Sequence, residues 1–317
     1  MASIVLSTLN SRYSHTALGL RYLRANLGAL RDDSVIREFV VRTPAPVIVD
    51  ALLAERPRIV GFGVYIWNVL QTAEVIRQLK AREPGIVVVI GGPEVSHEVE
   101  AQEICRLADH VVTGWGDVTF ARLAAALLHG PRPLNRVHAG EQPPLEHLAL
   151  PYREYTDADL ANRTVYVEAS RGCPFKCEFC LSSLDKTAWP FPLDAFLAEM
   201  ESLYARGARL FKVIAVVSMD AGSEFAILAN EFGKLAHGLE RCVFGKVRAF
   251  EAFVIVDRPF FGIRFRAGAQ HRRNVAPDFV GRRGLAAAGR PCQHAGHDTE
   301  RGPPCQRHGA PPPCGSQ

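Results

Sequence analysis

The chain has 317 residues, 48% of them hydrophobic and 22% charged. That balance excludes collagen-like, coiled-coil and wholly disordered classes, and the length leaves room for two domains. No uninterrupted apolar run reaches the roughly 18 residues of a membrane helix, and the opening MASIVLSTLN lacks the basic and apolar regions of a signal peptide. The net charge of +4 is local: residues 258–317 hold ten Arg and no Lys against three acids, while the remainder carries 27 basic and 30 acidic side chains. A mildly acidic body speaks against nucleic acid and against a membrane as partner.

Taken in order, the first 130 residues alternate short apolar runs with helical periodicity. SIVLST (3–8) reads as a strand and 15–28 as a helix with Leu18, Tyr22 and Leu23 at helical spacing. Residues 35–41 read as a second strand, and 46–55 as a helix opening on Pro46, which a first turn tolerates. RIVGFGVY (58–65) is a third strand and 68–82 an amphipathic helix with Val69, Ala73, Ile76 and Leu79 on one face. IVVVIGG (86–92) is a fourth strand, 97–108 a helix, HVVTG (110–114) a fifth strand and 117–129 a helix. Five apolar strands alternating with helices predict a doubly wound, Rossmann-like parallel sheet over 1–130. Ligands of such sheets lie beyond the carboxyl ends of the strands. Here those ends are 10–14, 65–68, 91–94 and 114–117, rich in Gly, Asn, Ser and Pro. No G-x-G-x-x-G follows the first strand, which speaks against NAD or FAD.

Residues 131–163, with five prolines, read as an extended linker. TVYVEAS (164–170) is then a strand running into RGCPFKCEFC, followed by a helix over 192–206 and a strand over 208–214, the opening of a second β–α series. Cys173-x3-Cys177-x2-Cys180 is the strongest signal in the chain. Thiolates select iron–sulfur clusters, zinc or copper(I). A four-iron cluster normally takes four cysteines, so three leave one iron open to an exogenous ligand. Zinc remains an alternative, although no fourth ligand stands close by; a redox pair of Cys177 and Cys180 is another. Cys105 reads as a buried thiol in a helix, and the cysteine usage as a whole fits a reduced, cytoplasmic setting.

The strand followed by RGCPFKCEFC, with Phe179 before the last cysteine and Arg171-Gly172 before the first, resembles the cluster loop of radical S-adenosylmethionine (SAM) enzymes. The preceding sheet, through NSRYSHTALGLRYL, GGPEVSHE and VVTGWGD, resembles the cobalamin-binding domain of one branch of that family. The resemblance covers about residues 1–214. It implies a [4Fe–4S] cluster on Cys173, Cys177 and Cys180, SAM on the open iron with Phe179 beside its adenine, and reductive cleavage of SAM to methionine and a 5′-deoxyadenosyl radical. It further implies cobalamin across the strand ends, with Tyr65, Asn68, Gly91, Gly92, Glu94 and Gly114 as contacts. The Asp-x-His-x-x-Gly motif is absent, so no protein histidine on cobalt is expected, and His15 reads as a polar residue at a helix start. The implied reaction is methyl transfer to an unknown substrate, with a one-electron reductant such as flavodoxin or ferredoxin as partner.

Beyond 214 the resemblance fades. A radical SAM barrel needs about 200 residues, 137 follow Cys180, and 164–257 therefore read as an incomplete barrel. Gly, Pro, Ala and Arg make up 32 of residues 264–317, a composition like GC-rich coding DNA read in a shifted frame. Such a segment buries too little apolar area to offset chain entropy, so 258–317 is expected to be a tail of low order. Two alternatives stand beside the enzyme: a catalytically inactive cobalamin- and iron–sulfur-binding fragment, and a zinc-binding protein.

Overall fold

The computed structural model describes residues 2–172 and 189–214, and the backbone of 252–255. Strand β1 (Ile4–Asn10) is buried along its whole length, and its two hydroxyls are satisfied within the sheet. Ser7 Oγ donates to the Arg37 carbonyl at 2.8 Å and Thr8 Oγ1 to the Gly63 carbonyl at 2.7 Å. The strand is covered on both faces, which is what its near-continuous apolar run requires. Helix α1 (Leu18–Ala25), β2 (Ser34–Val40), α2 (Ala45–Leu53), β3 (Ile59–Gly63), α3 (Val69–Arg82) and β4 (Val87–Gly91) follow in alternation. Then come α4 (Glu103–Leu107), β5 (His110–Thr113) and α5 (Asp117–His129).

The strands form one parallel sheet in the order β2-β1-β3-β4-β5, extended by β6 (Val137–Ala139), in register Val111↔Val137. One face packs Val5, Val60, Ile90 and Val111 against Ile48 of α2 and Ile76 of α3. The other packs Ile4, Leu6, Ile59 and Val89 against Leu20 of α1 and Leu123 of α5. Cutting a fully buried residue such as Ile76 to Ala would cost ~2–5 kcal/mol through lost transfer energy and the cavity left behind.

Three local expectations need correction. Helix α1 begins at Leu18, not 15. The helix expected over 97–108 starts at Glu103: Glu98 takes φ 50°, which a helix cannot continue through, and Pro93–Val95 is a separate 3-10 turn. The proline-rich stretch 131–163 is not simply extended, since it supplies β6 and helix α6 (Asp157–Asn162). A reciprocal capping box opens α6: Thr156 Oγ1 accepts from the Asp159 amide and Asp159 accepts from the Thr156 amide, both at 3.1 Å.

A second sheet begins with β7 (Val165–Glu168). A two-residue ribbon follows, in which β8 (Ser170–Arg171) pairs antiparallel with β9 (Trp189–Pro190). Helix α7 (Leu193–Ala205) leads to β10 (Leu210–Ile214), parallel to β7. Tyr152, Val165, Val167, Phe196, Met200 and Phe211 form the core between that sheet and α7. This is one β–α–β unit of the expected series. The next strand, β11 (Ala252–Ile255), runs antiparallel to β10, whereas a (β/α) barrel would continue in parallel. Residues 258–317, read as a tail of low order, lie outside the described residues. Among the described residues no helix is long and apolar enough to cross a membrane.

Candidate functional site

All strands of the first sheet are parallel, so their carboxyl ends share one edge. At the end of β3 the chain turns through 64–68. Asn68 is buried and braces this turn: its Oδ1 accepts from the Tyr65 amide at 2.9 Å, and its Nδ2 lies 3.1–3.2 Å from Thr8 Oγ1 and the Leu9 and Gly63 carbonyls. Tyr65 stacks on Trp67, with centroids 4.6 Å apart and planes 7° off parallel. Burial pushes the Tyr65 phenol above its ordinary pKa. Trp67 donates from Nε1 to the Leu9 carbonyl yet keeps 51% of its surface exposed; Ile66 is 76% exposed and Tyr13, beyond β1, 64%. Three large apolar side chains therefore stand in solvent at one sheet edge. All three fall in the strand ends 10–14 and 65–68 expected to face a ligand, and large apolar residues in those turns are the signal that singles them out.

The glycines divide by role. Gly92 has φ 118°, and a Cβ there would lie 2.5 Å from the Val64 carbonyl oxygen, so this glycine lets the backbones leaving two neighbouring strands approach closely. A Cβ at Gly91 would meet the Val112 carbonyl oxygen at 3.2 Å. Gly114 has φ 69° with nothing within 4 Å of a Cβ, leaving open space over its backbone. Ser96 ties these turns together, donating from Oγ to the Gly92 carbonyl at 2.8 Å and accepting from the Gly114 amide at 3.0 Å. Glu94 lies in the 3-10 turn beside them, its carbonyl accepting from Gln102 Nε2 at 2.7 Å.

A buried charge network binds the β1 end of this edge to the second sheet. Glu38 on β2 accepts from Arg21 Nη2 at 2.9 Å, Arg163 Nη1 at 2.8 Å, Asn10 Nδ2 at 3.0 Å and the Ala17 amide. Asp159 accepts from Arg21 and Arg163, each at 2.9 Å. Burial alone would raise both carboxyl pKa values; the Arg21 charge and hydrogen bonds, with Arg163, outweigh it and hold both below the usual carboxylate range. Around this network Thr16 Oγ1 donates to the Thr164 carbonyl at 2.7 Å, the Thr164 amide to the Ser14 carbonyl at 2.8 Å, and His15 Nδ1 pairs with the Tyr166 hydroxyl. Strand β7 thus hangs from the loop that leaves β1. His15, read as a polar residue at a helix start, lies ahead of α1 and makes this cross-sheet contact.

Cys173, Cys177, Cys180 and Phe179 lie outside the described residues. Their stretch is flanked by β8 and β9. Among the described residues no three His, Cys, Asp or Glu side chains are grouped to hold a metal. Cys105 is buried, and burial raises its thiol pKa, as befits an inert core thiol.

Residues 4–124 match the family model of the B12 binding domain. An uncharacterized methyltransferase of Pyrococcus horikoshii is 31% identical over 189 residues, 53% of this chain and 40% of that protein. The 2-(S-pantetheinyl)-carbapenam-3-carboxylate methyltransferase of Streptantibioticus cattleyicolor is 27% identical over 150 residues, 39% of this chain and 22% of that protein. Among solved structures, the radical S-adenosylmethionine methyltransferase TsrM of Kitasatospora setae superposes with a TM-score of 0.52 at 18% identity, covering 75% of this chain and 52% of that one. That likeness is one of fold. The matches thus span less than half the length of the curated relatives, and the chain carries a B12-binding domain within residues 4–124.

Proposed function

We propose that this chain is part of a cobalamin-dependent radical SAM methyltransferase. One observation carries the reading: the ribbon residue that leads into the cysteine motif pairs with the carboxyl edge of the sheet that matches the B12 binding domain. Arg171, two residues ahead of Cys173, pairs with Asp117, three residues past Gly114 on that edge.

The residues present fit both groups. The exposed Tyr13, Ile66 and Trp67, with open space over Gly114, offer a broad apolar surface to a corrin ring. Cys173, Cys177 and Cys180 would hold three irons of a [4Fe–4S] cluster and leave the fourth open. When bound, the cluster supplies the electron that cleaves SAM and cobalamin supplies the methyl group. Within this reading Phe179 would lie by the SAM adenine, Tyr65 and Trp67 would shield the corrin edge from water, and Gly91, Gly92 and Glu94 would shape its margin. A low-potential donor such as flavodoxin or ferredoxin would deliver the electron.

Anaerobic reconstitution followed by EPR of the reduced protein tests the reading. A [4Fe–4S] signal that shifts on adding SAM, together with a cobalamin absorbance that co-purifies with the chain, is the expected result. Zinc in place of iron, or a cluster signal indifferent to SAM, would refute it. The antiparallel β11 favours a second reading, a cofactor-binding piece that does not turn over. Formation of 5′-deoxyadenosine from SAM separates the two.

A further inference from the structure

We infer that Arg171 is a positioning residue that seats the root of the cysteine loop on the B12-binding sheet and so holds the cluster and cobalamin sites at one separation. The inference rests on the reading above for what the two sites bind; the docking itself rests on geometry alone. Strands β8 and β9 pair as Ser170↔Pro190 and Arg171↔Trp189, so the chain leaves for the cysteine motif and returns at one point. Both members of the second pair face the turn after β5. Arg171 Nη1 donates to Asp117 Oδ2 at 2.7 Å and Nη2 to Oδ1 at 3.2 Å, while Nε donates to Glu168 Oε2 at 3.0 Å. Its guanidinium carbon lies 4.4 Å from the Tyr22 ring centroid and 4.9 Å from that of Trp115. Trp189 meets Trp115 edge-on at 6.1 Å.

A two-pronged Arg–carboxylate contact fixes an angle as well as a distance. Here the fork is enclosed by aromatic rings and its carboxylate is buried, so water does not compete for it. Asp117 stands in the first turn of α5, rigidly joined to the carboxyl edge. The clamp therefore connects the base of one cofactor site to the margin of the other through a few short bonds. Such precision has a chemical use, because misplacing reacting groups by ~1 Å costs about 10²-fold in rate. A lysine would keep the charge and lose the fork.

The test uses the full chain and the variants Arg171→Gln, Arg171→Lys and Asp117→Asn. Amide hydrogen exchange is read first, without cofactors. In Arg171→Gln the amides of 170–172, Trp189 and Phe191 should exchange at least about tenfold faster while those of β1 and β3 keep their rates, with Arg171→Lys in between. Unchanged exchange at the ribbon, or equal acceleration everywhere, would overturn the docking role; the latter is what a residue that merely stabilises the fold would give. The second readout is the pulsed-EPR distance between reduced cluster and cob(II)alamin in the reconstituted protein. A narrow distribution in the parent and a broadened one in Arg171→Gln and Asp117→Asn, at equal iron and cobalamin content, is expected. An identical distribution would sink the claim of fixed separation. A parent chain that builds no cluster refutes the cofactor reading instead, and the exchange result then decides the docking.

Discussion

Two buried arginine clusters join the same two sheets, and they are built differently. The cluster by β1 is balanced: Arg21 and Arg163 face Glu38 and Asp159, and both carboxyl groups are held below their ordinary pKa. The cluster by the cysteine motif has one guanidinium for two carboxylates, Asp117 and Glu168, and aromatic walls in place of a second cation. There burial wins at Glu168, and despite the Arg171 charge its pKa is raised. The balanced cluster acts as a fastener, because every charge in it is compensated. The other is short of positive charge, and its aromatic enclosure sets orientation more than it adds attraction.

The largest effect that would break this contrast is Glu38→Gln. It leaves two buried cations facing one carboxylate and should cost ~3–5 kcal/mol of unfolding free energy in urea titration. Glu168→Gln should cost far less, on the order of 1 kcal/mol for the weakened hydrogen bond, because the cluster by Arg171 already holds an excess carboxylate. Equal losses in the two variants would erase the distinction.

The pH dependence sharpens it further. Glu38 has a folded pKa below its unfolded value, so its contribution is present above the ordinary glutamate value of 4.5 and is lost as pH falls through the folded pKa. Glu168 has a raised folded pKa, so its contribution is present below 4.5 and is lost as pH rises through the folded pKa. In stability measured against pH, Glu38→Gln should therefore remove part of the acid-side loss, and Glu168→Gln part of the loss on the rising side. The smallest effect is that of Trp115→Leu. It removes one aromatic wall and should cost about 0.5–1 kcal/mol beyond the change in packing, read as a shift in the denaturation midpoint.

Much of the first sheet was legible in the chain. Short, β-branched runs such as IVLST and VVVIG read as strands buried on both faces, and the helices between them carry a clear apolar stripe. The carboxyl-edge residues Tyr65, Gly91, Gly92 and Gly114 followed from that topology, as did Asn68. Their individual duties did not: Asn68 braces its own turn, and Gly92 allows a close backbone approach to Val64. Strand β6 was hidden because three residues, Val137–Ala139, have no periodicity to read; it forms because β5 offers an unpaired edge. Helix α6 was hidden by the surrounding prolines, although Thr156 and Asp159 spell its capping box.

The sequence by itself determined the alternation of strands and helices over residues 1–130, the parallel sense of the first sheet, and a cysteine spacing suited to a soft metal centre. These depend on periodicity and on side-chain chemistry within a few residues. Only the tertiary structure decided which charges are buried. Arg21 looks like an ordinary surface cation in the chain and Arg171 only like the lead-in to the cysteine motif, yet Asp159 lies 138 residues from Arg21, and Asp117 lies 54 residues from Arg171. Whether an arginine is solvated or locked depends on carboxylates and rings that meet it only after the two sheets have packed, and no local pattern records that meeting.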